Sequence, residues 1–226
     1  MTPAAMSTEK ARFNMIQQQI RPWEVLDPGV LSLLAVVRRE DFVPETYKDL
    51  AFADVELPIG TGNDPAQVML APKMEARMLQ ELGIKNTDKV LEIGTGSGFM
   101  AALLAAKAEF VHSVEIDPAL VEMSRKNLQG AGVANVSVDI GDGAQGWPLY
   151  APYDVIVLSG SLPILPDALL RQLRMGGRLV AIVGEAPAMQ LQLVTRTEEN
   201  SFNSINVLET VVAPLVNAQQ PEQFVF

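Results

Sequence analysis

Short apolar runs alternate with amphipathic stretches through the middle of the chain, and this alternation predicts most of its elements. Val90 to Ile93 reads as a strand, Gly94, Gly96 and Gly98 interrupt it, and Met100 to Ala106 continues as a helix. Phe110 to Glu115 is a second strand, after which Asp117-Pro118 provides an N-cap and a first helical position for a helix to about Leu128. Val136 to Ile140 and Tyr153 to Leu158 are further strands, followed by a short helix from about Asp167 to Leu173 and a strand at Arg178 to Val183. Strand and helix in alternation predict an α/β, Rossmann-like fold: a mostly parallel, doubly wound sheet with helices on both faces. The rhythm then changes. Leu191 to Thr197 and Ile205 to Val212 alternate with no helix between them, so with the turn Glu198-Glu199-Asn200-Ser201 they predict an antiparallel hairpin at the sheet edge.

Upstream, Ala11 to Ile20 has Phe13, Ile16 and Ile20 on one side and closes before Pro22. Asp27-Pro28 opens a second helix whose buried face is Val30, Leu31, Leu34 and Val37. From Phe42 to Pro72 only short apolar pieces interrupt Pro, Gly, Asp and Asn, which predicts long connections with one short strand near Val55 to Leu57; loops of that length inside a domain are usually functional. Pro72 starts a helix to about Leu82, with Met74, Met78 and Leu82 on one stripe and Gly83 as its stop. The organisation expected is a flexible tail at 1–10, helices and an acceptor-loop region at 11–84 packed on the rest, and a ligand-binding domain at 85–226.

Composition narrows the function classes. A chain of 226 residues that is 48% hydrophobic has enough apolar material for a sizeable core. Its net charge of −10 argues against nucleic acid or an anionic membrane as a partner, since both are bound through basic surface. With no cysteine, disulfides, thiolate metal sites and thiol nucleophiles are excluded, and no metal site is expected. Met1 to Lys10 has no apolar core of the signal-peptide kind and no run approaches the ~20 residues that span a bilayer, so the expectation is a soluble cytoplasmic protein. The single histidine, His112, falls inside the second strand and is read as structural.

The candidate chemistry sits where strands end, because an open parallel sheet binds ligands beyond the carboxyl ends of its strands. Gly94-Thr95-Gly96-Ser97-Gly98 lets the backbone take positive φ and lets a ligand lie on the main chain. A dinucleotide turn would place its third glycine one residue later, where this chain has Phe99, and Glu92 beside the turn would repel a pyrophosphate while suiting a cationic ligand. S-adenosylmethionine, with an ammonium and a sulfonium, is such a ligand, although a plain strand-to-helix turn would carry the same glycines. Glu115 ends the next strand about twenty residues on, where an acid can accept both ribose hydroxyls or, equally, pair with Arg125 or cap the helix. Gly141-Asp142-Gly143 can offer a carboxylate and backbone N–H to a flat base such as adenine, or be only a turn. Ser159-Gly160-Ser161-Leu162-Pro163 reads as a loop of small residues with room for a substrate.

These places occur in the order found in class I S-adenosylmethionine-dependent methyltransferases. Together with Arg39-Glu40-Asp41-Phe42-Val43-Pro44, Asp54-Val55-Glu56-Leu57-Pro58-Ile59-Gly60, Leu91 to Gly98, Gln172-Leu173 and Gly176-Gly177-Arg178-Leu179-Val180, they resemble the protein-L-isoaspartate (D-aspartate) O-methyltransferase family from about residue 13 to Leu215. The resemblance implies transfer of a methyl from S-adenosylmethionine to the α-carboxylate of an isoaspartyl residue in a damaged protein or peptide. It implies cofactor binding by Glu92, Gly94, Thr95, Gly96, Ser97, Gly98, Glu115, Ile116, Gly141, Asp142, Gly143 and Ser159.

The acceptor half departs from the family. After Pro-Ile-Gly-x-Gly the family reads Gln-Thr-Ile-Ser-Gln-Pro, with the serine beside the transferring methyl, whereas this chain reads Asn63-Asp64-Pro65-Ala66-Gln67-Val68. Ala66 then stands for the serine, Gln67 is retained, and Asp64 adds a negative charge near a carboxylate site; Asp54 either shapes this loop or lies in a surface turn. Ala66, Gln67 and Asp54 are therefore the acceptor-side candidates. A carboxylate nucleophile is already ionised at neutral pH, so proximity and orientation suffice without a general base. The alternatives are the same fold acting on another peptide or a small-molecule acceptor, and a protein that binds S-adenosylmethionine without turnover. The oligomeric state is not encoded in any of these features.

Overall fold

A computed structural model describes residues 3–60, 62 and 66–221. Asp64, and with it the charge expected beside the acceptor loop, lies outside the described residues. Helix α1 spans Pro3–Asn14, so the part of the expected tail that is described is helical; Pro3 at the start and two alanines after it favour that geometry. A π-helical turn, Met15–Ile20, follows and rotates the stripe: Met15, Ile16 and Ile20 are buried, while Phe13, expected inside, is 60% exposed. Helix α2, Pro28–Val36, is capped by Asp27, whose Oδ1 accepts from Val30 N at 2.8 Å.

The connection after α2 contains two short strands, β1 Leu57–Pro58 and β2 Val68–Met69, paired antiparallel. Helix α3, Pro72–Leu82, ends at Gly83, whose φ of +52° suits a residue without Cβ. Then come β3 Lys89–Ile93, α4 Phe99–Ala105, β4 Phe110–Glu115, α5 Pro118–Gly130, β5 Val136–Ile140, β6 Tyr153–Leu162, α6 Asp167–Leu170, β7 Leu173–Glu185, β8 Ala188–Glu198 and β9 Ser201–Thr210. The large sheet runs β5-β4-β3-β6-β7-β8-β9, with β5 to β7 parallel and β8 and β9 antiparallel, as the change of sequence rhythm predicts.

Period-2 alternation sorts the strand residues between two faces. Val90, Val111, Val155, Val157 and Val180 join one core with residues of the N-terminal helices, α3, α4 and α5. Leu91, Ile93, Val114, Ile156, Leu158 and Leu179 face a second, smaller core that the single turn of α6, the segment around Trp147 and Tyr150, and Leu215 to Ala218 help to cover. Because β4 and β5 are added on one side of β3 and β6 and β7 on the other, the strand order reverses between β3 and β6, which is where an open sheet forms its binding crevice.

One strand is longer than the sequence suggests. Ser159 to Leu162, read as a loop, continues β6 past a register shift between Val157 and Ser161. The reason lies more than fifty residues away: Ser161 N donates to Ala213 O at 3.0 Å, Leu215 N donates to Ser161 O at 2.9 Å, and Ser161 Oγ donates to Val212 O at 2.8 Å. The segment Val212–Val216 thus lies as a strap beside the end of β6, and its carbonyls and N–H groups stabilise as strand what local sequence marks as loop.

Candidate active site

The glycine turn leaves β3 and enters α4. Gly94, Gly96 and Gly98 have φ of +87°, +52° and +86°, so side chains at these three positions would be strained. Their tasks differ. A Cβ on Gly96 would lie 2.9 Å from Ile59 Cδ1, and one on Gly98 would meet Leu128 and Ser124 at 3.2 and 3.3 Å. Gly94 and Gly96 therefore border a cavity, while Gly98 allows α4 to approach α5.

Glu115 closes β4 directly beneath the turn. Its Oε2 accepts from Gly96 N at 2.9 Å and its Oε1 from Asp117 N at 3.0 Å, so the carboxylate is fixed while each oxygen keeps acceptor capacity. Neither the ion pair with Arg125 nor the helix cap, the other roles open to Glu115, is what the structure shows: Arg125 pairs with Glu122 and Asp117 caps α5. After β5, Asp142 accepts from Ala144 N at 2.9 Å through Oδ1 and from Asn217 Nδ2 at 2.8 Å through Oδ2. Its flanking glycines are required by close neighbours: a Cβ on Gly141 would sit 2.6 Å from the Trp147 ring and one on Gly143 2.8 Å from Ile93 Cγ2.

Glu92 is not at the surface of this cavity. It is fully enclosed, accepts from Ser113 Oγ at 2.6 Å and from Ser159 Oγ at 3.4 Å, and burial pushes its carboxyl up to about 8. Ser113 also shares a 2.6 Å hydrogen bond with Thr95 Oγ1, so Glu92 supports the turn from below. Ser97 Oγ accepts weakly from Phe99 N at 3.4 Å.

A cavity of about 770 Å³, counting its open mouth, joins the two halves of the site. Gly94, Gly96, Glu115, Ile116, Gly141, Asp142, Gly143 and Ser159 line one side, and Ile59, Ala66, Gln67 and Val68 line another. Gln67 reaches across: its Nε2 donates to Asp117 Oδ2 at 2.7 Å. The strap from Val212 to Val216 forms a further wall, with Leu215 against Gly94 and Gly160. Sequence reading missed this wall. Its one signal is an apolar run broken by Pro214, which lacks the periodicity that marks an element.

One predicted participant, Asp54, stands elsewhere, and His112 is where its structural reading puts it. Asp54 pairs with Lys73 at 2.7 Å and does not line the cavity; Lys73 in turn lies 4.1 Å over the Trp23 ring. His112 stacks on Tyr150 with ring centroids 4.0 Å apart and meets Ser137 Oγ at 3.1 Å, which agrees with its structural reading.

Comparison with known proteins gives a consistent result. The family model described as protein-L-isoaspartate(D-aspartate) O-methyltransferase matches residues 10–220. Protein-L-isoaspartate O-methyltransferase 2 of Pelobacter propionicus is 40% identical over 218 residues, covering 96% of this chain and 95% of that protein. Protein-L-isoaspartate O-methyltransferase of Protochlamydia amoebophila is 40% identical over 206 residues, covering 91% and 96%. Among solved structures, a protein-L-isoaspartate O-methyltransferase superposes with a TM-score of 0.77 at 24% identity over 92% of this chain, which spans 65% of that longer one. A Plasmodium falciparum protein solved with S-adenosyl-L-homocysteine, and described as a putative member of the same enzyme class, gives a TM-score of 0.73 at 18% identity, covering 92% and 97%.

Proposed function

We propose that this chain, which belongs to the protein-L-isoaspartate (D-aspartate) O-methyltransferase family, binds S-adenosylmethionine in the shared cavity and methylates a peptide carboxylate, with isoaspartyl residues as the acceptor. The observation that carries the reading is the single cavity walled on one side by the glycine turn, Glu115 and Asp142 and on the other by Ile59, Ala66 to Val68 and the strap. The relatives that share 40% of its residues over almost their full lengths support the same activity.

The residues present fit the cofactor. Backbone at positive φ leaves Gly94 and Gly96 open against the cavity, and Glu115 is held by two N–H groups with capacity left for two hydroxyls. Asp142 and the N–H groups after Gly141 suit an adenine edge, and Ile116 and Leu120 offer apolar faces to a flat base. When bound, S-adenosylmethionine supplies a methyl group activated by a sulfonium. The chain's own task is then to exclude water and align an ionised carboxylate, which is work for proximity and orientation. The apolar wall of Ile59, Val68, Val212 and Leu215 and the fixed Gln67 serve both ends.

The family hexapeptide fits this chain in two registers. Placed directly after Gly62, its serine coincides with Ala66. Placed so that its first glutamine is Gln67, its final proline falls on Pro72, the residue that opens α3, and its serine falls on Leu70. Ala66 lines the larger cavity and Leu70 a smaller one continuous with it. In either register the hydroxyl is absent, so the acceptor carboxylate is held by other groups.

The reading extends to the division of labour along the chain, with 85–226 holding the cofactor and 11–84 shaping the acceptor side. It places the protein in the cytoplasm, where its cofactor is made; no helix among the described residues is long and apolar enough to cross a membrane. The deciding experiment is methyl transfer from S-adenosylmethionine to an isoaspartyl peptide beside its aspartyl counterpart. Methylation of the first alone is expected, and transfer to neither overturns the reading.

A further inference from the structure

Behind the glycine turn lies a smaller cavity of about 270 Å³. It shares Val68, Gly94, Gly96 and Ser159 with the larger one, so a ligand that passes the turn can extend from one into the other. The proposed ribose and adenine contacts, Glu115 and Asp142, border only the larger cavity, while Thr95, Ser97 and Glu75 border only the smaller. If the nucleoside occupies the first, the amino-acid tail of the cofactor is what enters the second.

We propose that Glu75 receives the α-ammonium of that tail, and that this carboxylate, rather than Glu92, recognises the positive charge of the cofactor. The inference rests on the cofactor reading above. Glu75 is 3% exposed and belongs to the apolar stripe of α3, between Met74 and Ala76 and one turn before Met78. An acid at such a position is costly unless it is compensated. One partner is Arg39, which pairs with Glu75 and also donates to Leu70 O at 2.7 Å. Glu92 on β3 is near enough for its charge and that of Glu75 to repel, and burial holds Glu92 mainly neutral, so among the described contacts Arg39 is the cation set against Glu75. An ammonium entering the smaller cavity, which Arg39 does not line, would give the ionised Glu75 a second cation. Glu92 cannot take that role as it stands, since it borders neither cavity and is occupied by Ser113 and Ser159.

A proton signature follows. Burial raises the Glu75 carboxyl to about 7 against the pull of Arg39, so in the free protein it is partly protonated at neutral pH. A bound ammonium favours the ionised form, so binding releases a proton and strengthens as pH rises from about 6 to 8.

Calorimetry on the full chain tests this with S-adenosylhomocysteine, with its analogue lacking only the α-amino group, and with 5′-methylthioadenosine, which lacks the tail. The deamino analogue should bind at least about tenfold more weakly than S-adenosylhomocysteine, a charged hydrogen bond being worth ~1.5 to 3 kcal/mol, and should release fewer protons when titrated in two buffers of different ionisation enthalpy. Glu75→Gln should weaken S-adenosylhomocysteine by a similar factor and leave 5′-methylthioadenosine within about twofold. Equal binding of the deamino analogue and the parent compound overturns the assignment, and needs no variant. So does a Glu75→Gln variant that loses both nucleosides alike, which is the signature of a purely structural Arg39 pair. Failure of all three nucleosides to bind is a different result, because it removes the cofactor reading itself.

Discussion

The two sides of the shared cavity were built on different terms. On the side proposed to hold the cofactor most contacts are local or join neighbouring strand ends, Gly96 to Glu115, Asp117 to Glu115 and Ala144 to Asp142, with Asn217 to Asp142 as the long-range exception. On the acceptor side the walls come from far apart in the chain, Ile59 and Ala66 to Val68 from before the sheet and Val212 to Val216 from after it. The first side tolerates little change, since its glycines have positive φ or near neighbours; the second offers aliphatic surface that can vary. On the proposed reading, the same arrangement can hold a cofactor while hosting a loop with Ala66 or Leu70 where the family has serine.

The sharpest way to break this contrast is on the rigid side. Glu115→Ala removes the acceptor of two backbone N–H groups together with the proposed ribose ligand, so S-adenosylhomocysteine affinity should fall at least about tenfold, and by considerably more if both hydroxyl bonds are lost, at ~1.5 to 3 kcal/mol each. Unchanged affinity in a calorimetric titration would show that the nucleoside lies elsewhere.

On the variable side the effect should be smaller and should appear in kcat/KM for an isoaspartyl peptide. Restoring one neutral hydroxyl contributes ~0.5 to 1.5 kcal/mol, so Ala66→Ser or Leu70→Ser should gain at most about tenfold. Only the variant in the correct register should gain, which makes the pair a measurement of the loop's alignment. If both leave a fully active parent unchanged, the missing hydroxyl does not limit this enzyme.

A third test concerns what supports the rigid side. Burial raises the Glu92 carboxyl from an ordinary value of 4.5 to about 8, so between those pH values the folded state holds a proton that the unfolded chain has lost. The favourable contribution of the neutral acid is present below about pH 4.5 and fades as pH rises towards 8. Glu92→Gln, which cannot ionise, should flatten this decline in urea unfolding followed from pH 5 to 8. Parallel pH profiles for the parent and the variant would mean that Glu92 ionises freely in the fold.

The smallest expected effect is none. With a net charge of −10 and no dense basic run, the protein should give no anisotropy change with duplex DNA or RNA at physiological salt, and salt-sensitive micromolar binding would contradict that.

What the sequence revealed divides along the same line. Asp117-Pro118, Pro72 to Gly83 and the three glycines of the turn announce themselves because caps, stops and positive φ demand particular residues at particular places. Ser159 to Leu162 misleads because small polar residues resemble a loop, and only the strap's hydrogen bonds make them strand. Asp54 looks available until Lys73 is placed beside it, and Glu75 is hidden in a methionine stripe whose burial is right but whose one acid changes its meaning. Glu92 is the converse: its position is legible, its enclosure by Ser113 and Ser159 is not.

The strap also has a consequence in time. Residues 212–216 are made more than a hundred residues after the glycine turn, yet they complete its cavity and hold the end of β6 in the sheet. During synthesis, then, the Rossmann-like layers can assemble while the site remains open on one side. A nascent chain should acquire its fold before it acquires its full affinity for a nucleoside, and the capacity to bind should arrive only when the strap has left the ribosome.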